Sequence, residues 1–171
     1  MASVEEICGQ WQDVRNGLIK EAELIPAEQF EFRAAPETRS VIQLLHHIIE
    51  AERVLAGEIC RDNTNFQRGF PALIAEHAGH VKEAATKDAV LELLRSSLED
   101  TTALIGGFGE ANFDKIMTRF DGKQVRKSLM VSFIVAHEMY HRGQLTVYQR
   151  LLGIEPALTQ YFRKMLGNSS S

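Results

Sequence analysis

Residues 137–141 read His-Glu-Met-Tyr-His. Two histidines four positions apart lie on one face of a helix, so their imidazoles stack one turn apart. Histidine is the commonest side-chain metal ligand, and such a pair invites a shared cation. The same letters fit the H-E-x-x-H pattern of zinc metalloproteases, where the Glu acts as general base beside a metal-bound water. A plainer reading competes with both: two separate core histidines, each satisfied by its own hydrogen bond.

A metal site needs a third ligand, and the stretch IQLLHHIIEAER at 42–53 offers one. On a helical wheel Val41, Leu44, Ile48, Leu55 and Ile59 define an apolar stripe. His47 flanks that stripe beside Leu44, Ala51 and Val54, whereas His46 falls nearly opposite its centre. His47 is therefore expected to point inward and His46 into solvent. Glu52 lies inside the stripe, where it is expected to snorkel to an end of the core; accepting from a histidine N–H is the alternative.

The same wheel applied to 126–152 groups Leu129, Phe133, Tyr140, Val147 and Leu151, with Met130, Ile134, Tyr148 and Leu152 extending the arc. His137 and His141 fall in its middle, and Glu138, Arg142 and Gln149 outside it. Glu138 is thus expected at the rim or beyond, away from the base position of a peptidase. No His follows His141, and Gly143 stands two residues past it rather than three, as the metzincin extension requires. Nor does a strong strand pattern suggest a sheet edge to hold a peptide.

The elements that carry these residues are helical. Val4, Ile7, Trp11, Val14, Leu18 and Ile19 mark an amphipathic helix over 3–24. Ser40 and Gln43 form a capping box opening a helix over 40–61. Residues 71–84 read as a short helix or loop, and 87–108 as a long helix ended by Gly106, Gly107 and Gly109. Asp121-Gly122 predicts a hairpin or turn within 115–126. The last long helix stops at Gly153, and Pro156 opens a short final one. Four long helices predict an all-α four-helix bundle over 1–166, with 167–171 a tail. The long loops make a crossover connection plausible.

Composition narrows the function classes. The chain of 171 residues is 44% apolar and 25% charged, as expected of one globular domain. A net charge of −4 and a pI near 5.9 argue against nucleic acid or an anionic membrane as partner. No apolar run approaches a membrane span, and no signal peptide is evident. Cys8 and Cys60 suggest neither a disulfide framework nor a thiolate metal site, so a cytoplasmic location is expected.

Taken together, the sequence resembles the DinB-like (DNA-damage-inducible, YfiT-related) family of small bacterial helical bundles. The resemblance spans about residues 3–165. It rests on Arg33–Pro36 leading into RSVIQLLHHIIEAE, the segment FDGKQVRKSL, and AHEMYHRGQL. It implies a histidine triad of His47, His137 and His141 binding a divalent metal, often in a homodimer. It also implies chemistry like that of relatives that are metal-dependent thiol enzymes, bacillithiol transferases and mycothiol-dependent isomerases among them. The family's name reflects expression after DNA damage and implies no polymerase or nuclease. Glu138 is not part of that pattern.

Three histidine ligands would leave coordination positions open, as in catalytic rather than structural sites. Imidazole suits Zn, Ni, Cu and Fe; Zn, Ni, Fe or Mn are the expected cofactors. An open metal either lowers the pKa of a bound water, giving hydrolysis, or holds a thiolate deprotonated, giving thiol transfer to an electrophile. The resemblance favours the second, and a metal-binding stress-response protein without turnover is the third reading. No catalytic side chain is assigned. Tyr140 is expected in the core, Gln144 to pack or to orient a ligand, and Gly143 to permit close helix approach. His77 and His80 form a weak second metal pair, and Arg61, Arg68 and Lys82 a solvated surface.

Overall fold

The structure, a computed structural model, describes residues 2–167. Six α-helices appear among them: α1 (Val4–Leu24), α2 (Val41–Ile59), α3 (Phe70–His77), α4 (Lys87–Phe108), α5 (Lys127–Leu151) and α6 (Ala157–Gly167). A two-stranded antiparallel hairpin, β1 (Ile116–Thr118) and β2 (Gln124–Arg126), precedes α5. Residues 168–171, most of the expected tail, lie outside the described residues.

The helix starts follow from their caps. Ser3 with Glu6, and Ser40 with Gln43, each close a capping box at the head of α1 and α2. Helix α4 runs through Gly106 and Gly107 and ends only at Phe108, where Gly109 takes a φ of 84°. The first turn of α6 is capped by a side chain from another helix. The buried Glu21 carboxylate accepts from the N–H groups of Ala157 (2.6 Å) and Leu158 (3.2 Å), placing negative charge at the positive end of the helix.

Helices α1, α2, α4 and α5 form the expected four-helix bundle. Both α1 and α2 pack on α4 and on α5, so α1 and α2 occupy opposite corners although they are consecutive long helices. The connection over residues 25–40 therefore crosses a diagonal, and residues 109–126 cross the other between α4 and α5.

The apolar interior is divided in two. One cluster holds Leu18, Leu44, Leu45, Ile48, Leu91 and Leu145; the other holds Val4, Trp11, Leu55, Ile59, Ile105, Met130 and Ile134. Between them, at Arg15, Glu52, Ser97 and Glu138, every helix of the bundle contributes a buried polar residue. The order in which each helix passes the two clusters shows that α1 and α5 run one way and α2 and α4 the other. No helix among the described residues is long and apolar enough to cross a membrane.

Candidate metal centre

His47 on α2 and His137 and His141 on α5 converge, although some ninety positions separate the first from the others. One ring nitrogen from each lies within 4.8 Å of the others. The His137 and His141 Nε2 atoms are 3.0 Å apart, and the His47 ring centroid is 5.1 Å from that of His137 and 4.8 Å from that of His141. Zinc–imidazole bonds of 2.0–2.1 Å place two ligand nitrogens about 2.8–3.4 Å apart for angles between octahedral and tetrahedral. The α5 pair already meets that spacing, and His47 brings a third ring nitrogen within 4.8 Å of both. The donor set fits a divalent metal.

The protonation states fit as well. Burial, with help from the Arg39 charge and the neighbouring imidazoles, pushes the His47 pKa down to about 3. Burial, His141 and Arg39 push that of His137 to about 4. Burial also lowers that of His141, against a raising contribution from its bond to Gln144. Neutral imidazoles are the metal-binding form. His141 Nδ1 lies 2.8 Å from Gln144 Oε1. An amide oxygen only accepts, so that bond places the His141 proton on Nδ1 and leaves the Nε2 lone pair facing the triad. Gln144 therefore orients the ring rather than merely packing.

The rotation of α5 differs from the wheel analysis. Leu129, Tyr140, Val147 and Leu151 are more than half exposed, while Glu138 is 1% exposed. The reason is the polar layer. Arg15 Nε reaches Glu138 Oε1 at 2.6 Å, and Arg15 Nη2 reaches Glu138 Oε2 at 2.8 Å and Glu52 Oε2 at 2.6 Å. The Trp11 indole N–H donates to Glu138 Oε2 at 2.6 Å. Arg15 Nη1 completes the set by donating to the Leu94 carbonyl and Ser97 Oγ. Burial opposes the guanidinium charge, but Glu52 and Glu138 more than offset it and raise the Arg15 pKa. With this satisfied pair inside, α5 turns Glu138 to the centre and leaves the histidines nearer the edge. Both Glu138 oxygens are engaged, so it is no general base, and the peptidase pattern is accidental.

Other expectations are corrected by the same logic. Glu52 does not snorkel; it is a central member of the layer. His46 is buried rather than solvated, with Nε2 2.9 Å from the Ala84 carbonyl. Tyr140 lies outside the core, its ring 5.1 Å from His141. Gly143 is exposed with open space around it, so no close helix approach requires it. Arg61 and Arg68 both pair with the buried Glu58 and with Glu76, and His77 Nε2 lies 3.0 Å from Glu58. Two guanidiniums there already neutralise the carboxylates, which disfavours a cation, and His80 points into solvent.

Sequence reasoning passed over Arg15, Arg39 and Glu50. Arg15 carried a signal: it stands four residues after Trp11 and three before Leu18, on the apolar face of α1, opposite the equally misplaced Glu52. Arg39 and Glu50 carried none, since their roles depend on a cavity. That cavity, of about 710 Å³, runs along α2 and is lined by His47, His46, Glu50, Arg39, Phe70 and Ile74.

Comparison with known proteins agrees with this architecture. The sequence matches the DinB family over residues 1–168. It is 24% identical over 156 residues to the uncharacterized protein YjoA of Bacillus subtilis (strain 168), covering 90% of this chain and 93% of that one. The crystal structure of YjoA, a DinB-like protein, superposes with a TM-score of 0.67 at 22% identity, over 86% of this chain and 92% of that one. YfiT from Bacillus subtilis, described as a probable metal-dependent hydrolase with an unusual four-helix bundle topology, gives 0.68 at 16% identity over 89% of each chain. A mycothiol-dependent maleylpyruvate isomerase gives 0.68 at 15% identity, over 84% of this chain and 61% of that one. At these identities the structural likeness establishes the shared fold.

Proposed function

The chain belongs to the DinB family, and on that premise we propose that it is a divalent-metal protein whose ligands are His47, His137 and His141, acting in the transfer of a low-molecular-weight thiol to an electrophile. The convergence of three neutral imidazole nitrogens beside an open cavity carries this reading. Three protein ligands leave room for an exogenous one. A bound metal supplies a positive charge that keeps a thiolate deprotonated at neutral pH. Gln144 holds His141 in the tautomer that presents Nε2, and the cavity gives the thiol's remaining atoms a place to lie. The likeness to the mycothiol-dependent isomerase supports thiol chemistry.

A second reading, hydrolysis by a metal-bound water, draws support from the description of YfiT. Metal analysis of purified and reconstituted protein tests the premise common to both. Loading well below one metal per chain, or loading unaffected by His47→Ala, ends it. Incubation of loaded protein with monochlorobimane and a panel of thiols then separates the two. Turnover that requires a thiol supports transfer. Thiol-independent ester hydrolysis supports the alternative, and neither activity leaves a non-catalytic metal binder.

The expected homodimer is also retained as a proposal. It is supported by the apolar residues that α6 leaves exposed, Leu158, Tyr161, Phe162 and Leu166. Sedimentation of wild type and Phe162→Glu tests it: a monomeric wild type defeats it.

A further inference from the structure

The cavity along α2 carries an arrangement of charge that the metal centre does not use. Glu50 stands one helical turn beyond His47, about 4.5 Å further along the axis. Its residue is 9% exposed, yet its Oε1 has no hydrogen-bond partner. The nearest cation, Lys82 Nζ, lies 4.0 Å away on a side chain that is 76% exposed. A buried carboxylate oxygen without a donor is unfavourable, and this one lines a space large enough for a small molecule.

At the other end stands Arg39. It lines the same cavity, and it also lines a second cleft with Gln144, the residue that orients His141. Its charge is felt by all three histidines. Among the described residues no carboxylate lies within 4.0 Å of its guanidinium, and no side-chain hydrogen bond satisfies it. The Tyr148 hydroxyl donates to the Arg39 carbonyl at 3.0 Å, which ties this exposed residue's backbone to α5. Arginine presents a fork of donors suited to a carboxylate.

From these two groups, set on either side of His47, we propose that the cavity binds a small thiol with an α-amino-acid head at one end and a carboxylate at the other. Glu50 takes the ammonium, and Lys82, swinging in from solvent, takes the head's own carboxylate. Arg39 takes the far carboxylate, and the sulfur lies between them at the triad. The assignment of the middle group as a thiol rests on the function proposed above; the charge layout does not.

Glutathione has this layout and serves as the probe, together with its sulfur-free analogue, γ-glutamyl-2-aminobutyryl-glycine. Calorimetry on metal-loaded and metal-free full-length protein is expected to show both molecules binding. Arg39→Gln and Glu50→Gln are each expected to weaken them roughly tenfold or more. Acetylating the probe's ammonium should abolish the effect of Glu50→Gln but not that of Arg39→Gln. Amidating the glycine carboxylate should do the reverse. Far-UV circular dichroism checks that both variants fold. Wild-type affinity in both variants, or no binding of either probe at millimolar concentration, overturns the proposal. Equal affinity for the thiol and its sulfur-free analogue, with the charge dependence intact, supports the pocket and sinks the thiol chemistry instead.

Discussion

Arg15 and Glu138 form a two-pronged ion pair wholly inside the bundle, with contacts of 2.6 Å and 2.8 Å between side chains no more than 1% exposed. Glu138 stands between the two α5 histidines in sequence, and Arg15 also holds Glu52 of α2 and Ser97 of α4. One guanidinium thus joins all four bundle helices in a single layer. Because His137 flanks Glu138 directly, the pair also sets the rotation at which α5 presents its histidines to His47. The Glu of the H-E-x-x-H letters belongs to the architecture and not to proton transfer.

Removing one member of a buried pair leaves the other charge uncompensated. Glu138→Ala is expected to lower the unfolding free energy by about 3–5 kcal/mol, read from urea denaturation. Glu138→Gln, which keeps the shape, is expected to lose less. Arg15→Met should lose more than either, since it leaves Glu52 and Glu138 without the cation they share. The single tryptophan, Trp11, bonds Glu138 and reports on the layer by its fluorescence. An effect on stability below about 0.5 kcal/mol for Glu138→Ala, the level of ordinary surface changes, would refute the architectural role.

This layer also marks the limit of what periodicity reveals. Helix ends were legible because caps are local: Ser40 and Gln43 act within one turn. The convergence of His47 with His137 and His141 was legible from the wheel of α2 and the family motifs. The rotation of α5 was not. A wheel scores apolar residues as inward and charges as outward, which inverts the answer where opposite charges satisfy one another inside. His46 was misplaced for a related reason: its acceptor, the Ala84 carbonyl, comes from a segment 38 residues away.

Gln144 acts through His141. Losing such an orienting bond typically weakens metal affinity 10–100-fold, so Gln144→Ala should fall roughly in that range in competition with a chelating dye. Gln144→Glu, which can still accept from Nδ1–H, should recover most of the loss. Affinity within a factor of two for Gln144→Ala would return the residue to a packing role.

The triad gives the metal-free protein an acid-sensitive stability. In the unfolded chain these imidazoles take up protons near pH 6.5. In the folded chain His137 resists until about 4 and His47 until about 3. Across that window the unfolded state binds more protons, so stability rises with pH, by up to about 1.4 kcal/mol per pH unit for each histidine. It levels off above the unfolded value. Urea midpoints of apo-protein should therefore climb from pH 4 to about 6.5 and then flatten. His47→Asn should reduce the slope, and an unchanged slope would show that His47 is protonated alike in both states.

The adjacent pair His46 and His47 offers the sharpest contrast, because the two residues share a helix and a chemistry but not a direction. A metal that binds the folded chain alone raises stability by RT ln(1 + [M]/Kd), about 2.7 kcal/mol at a hundredfold excess over Kd. Wild type should show that gain as a raised melting temperature on metal addition. His47→Ala removes one corner of the triad and should largely erase the gain while leaving the metal-free melting temperature near that of wild type. His46→Ala removes the bond to the Ala84 carbonyl, lowering metal-free stability by about 1 kcal/mol, yet should keep the full gain, since His46 is not among the converging residues. If His46→Ala erased the gain and His47→Ala kept it, the ligand set would have to be redrawn around His46.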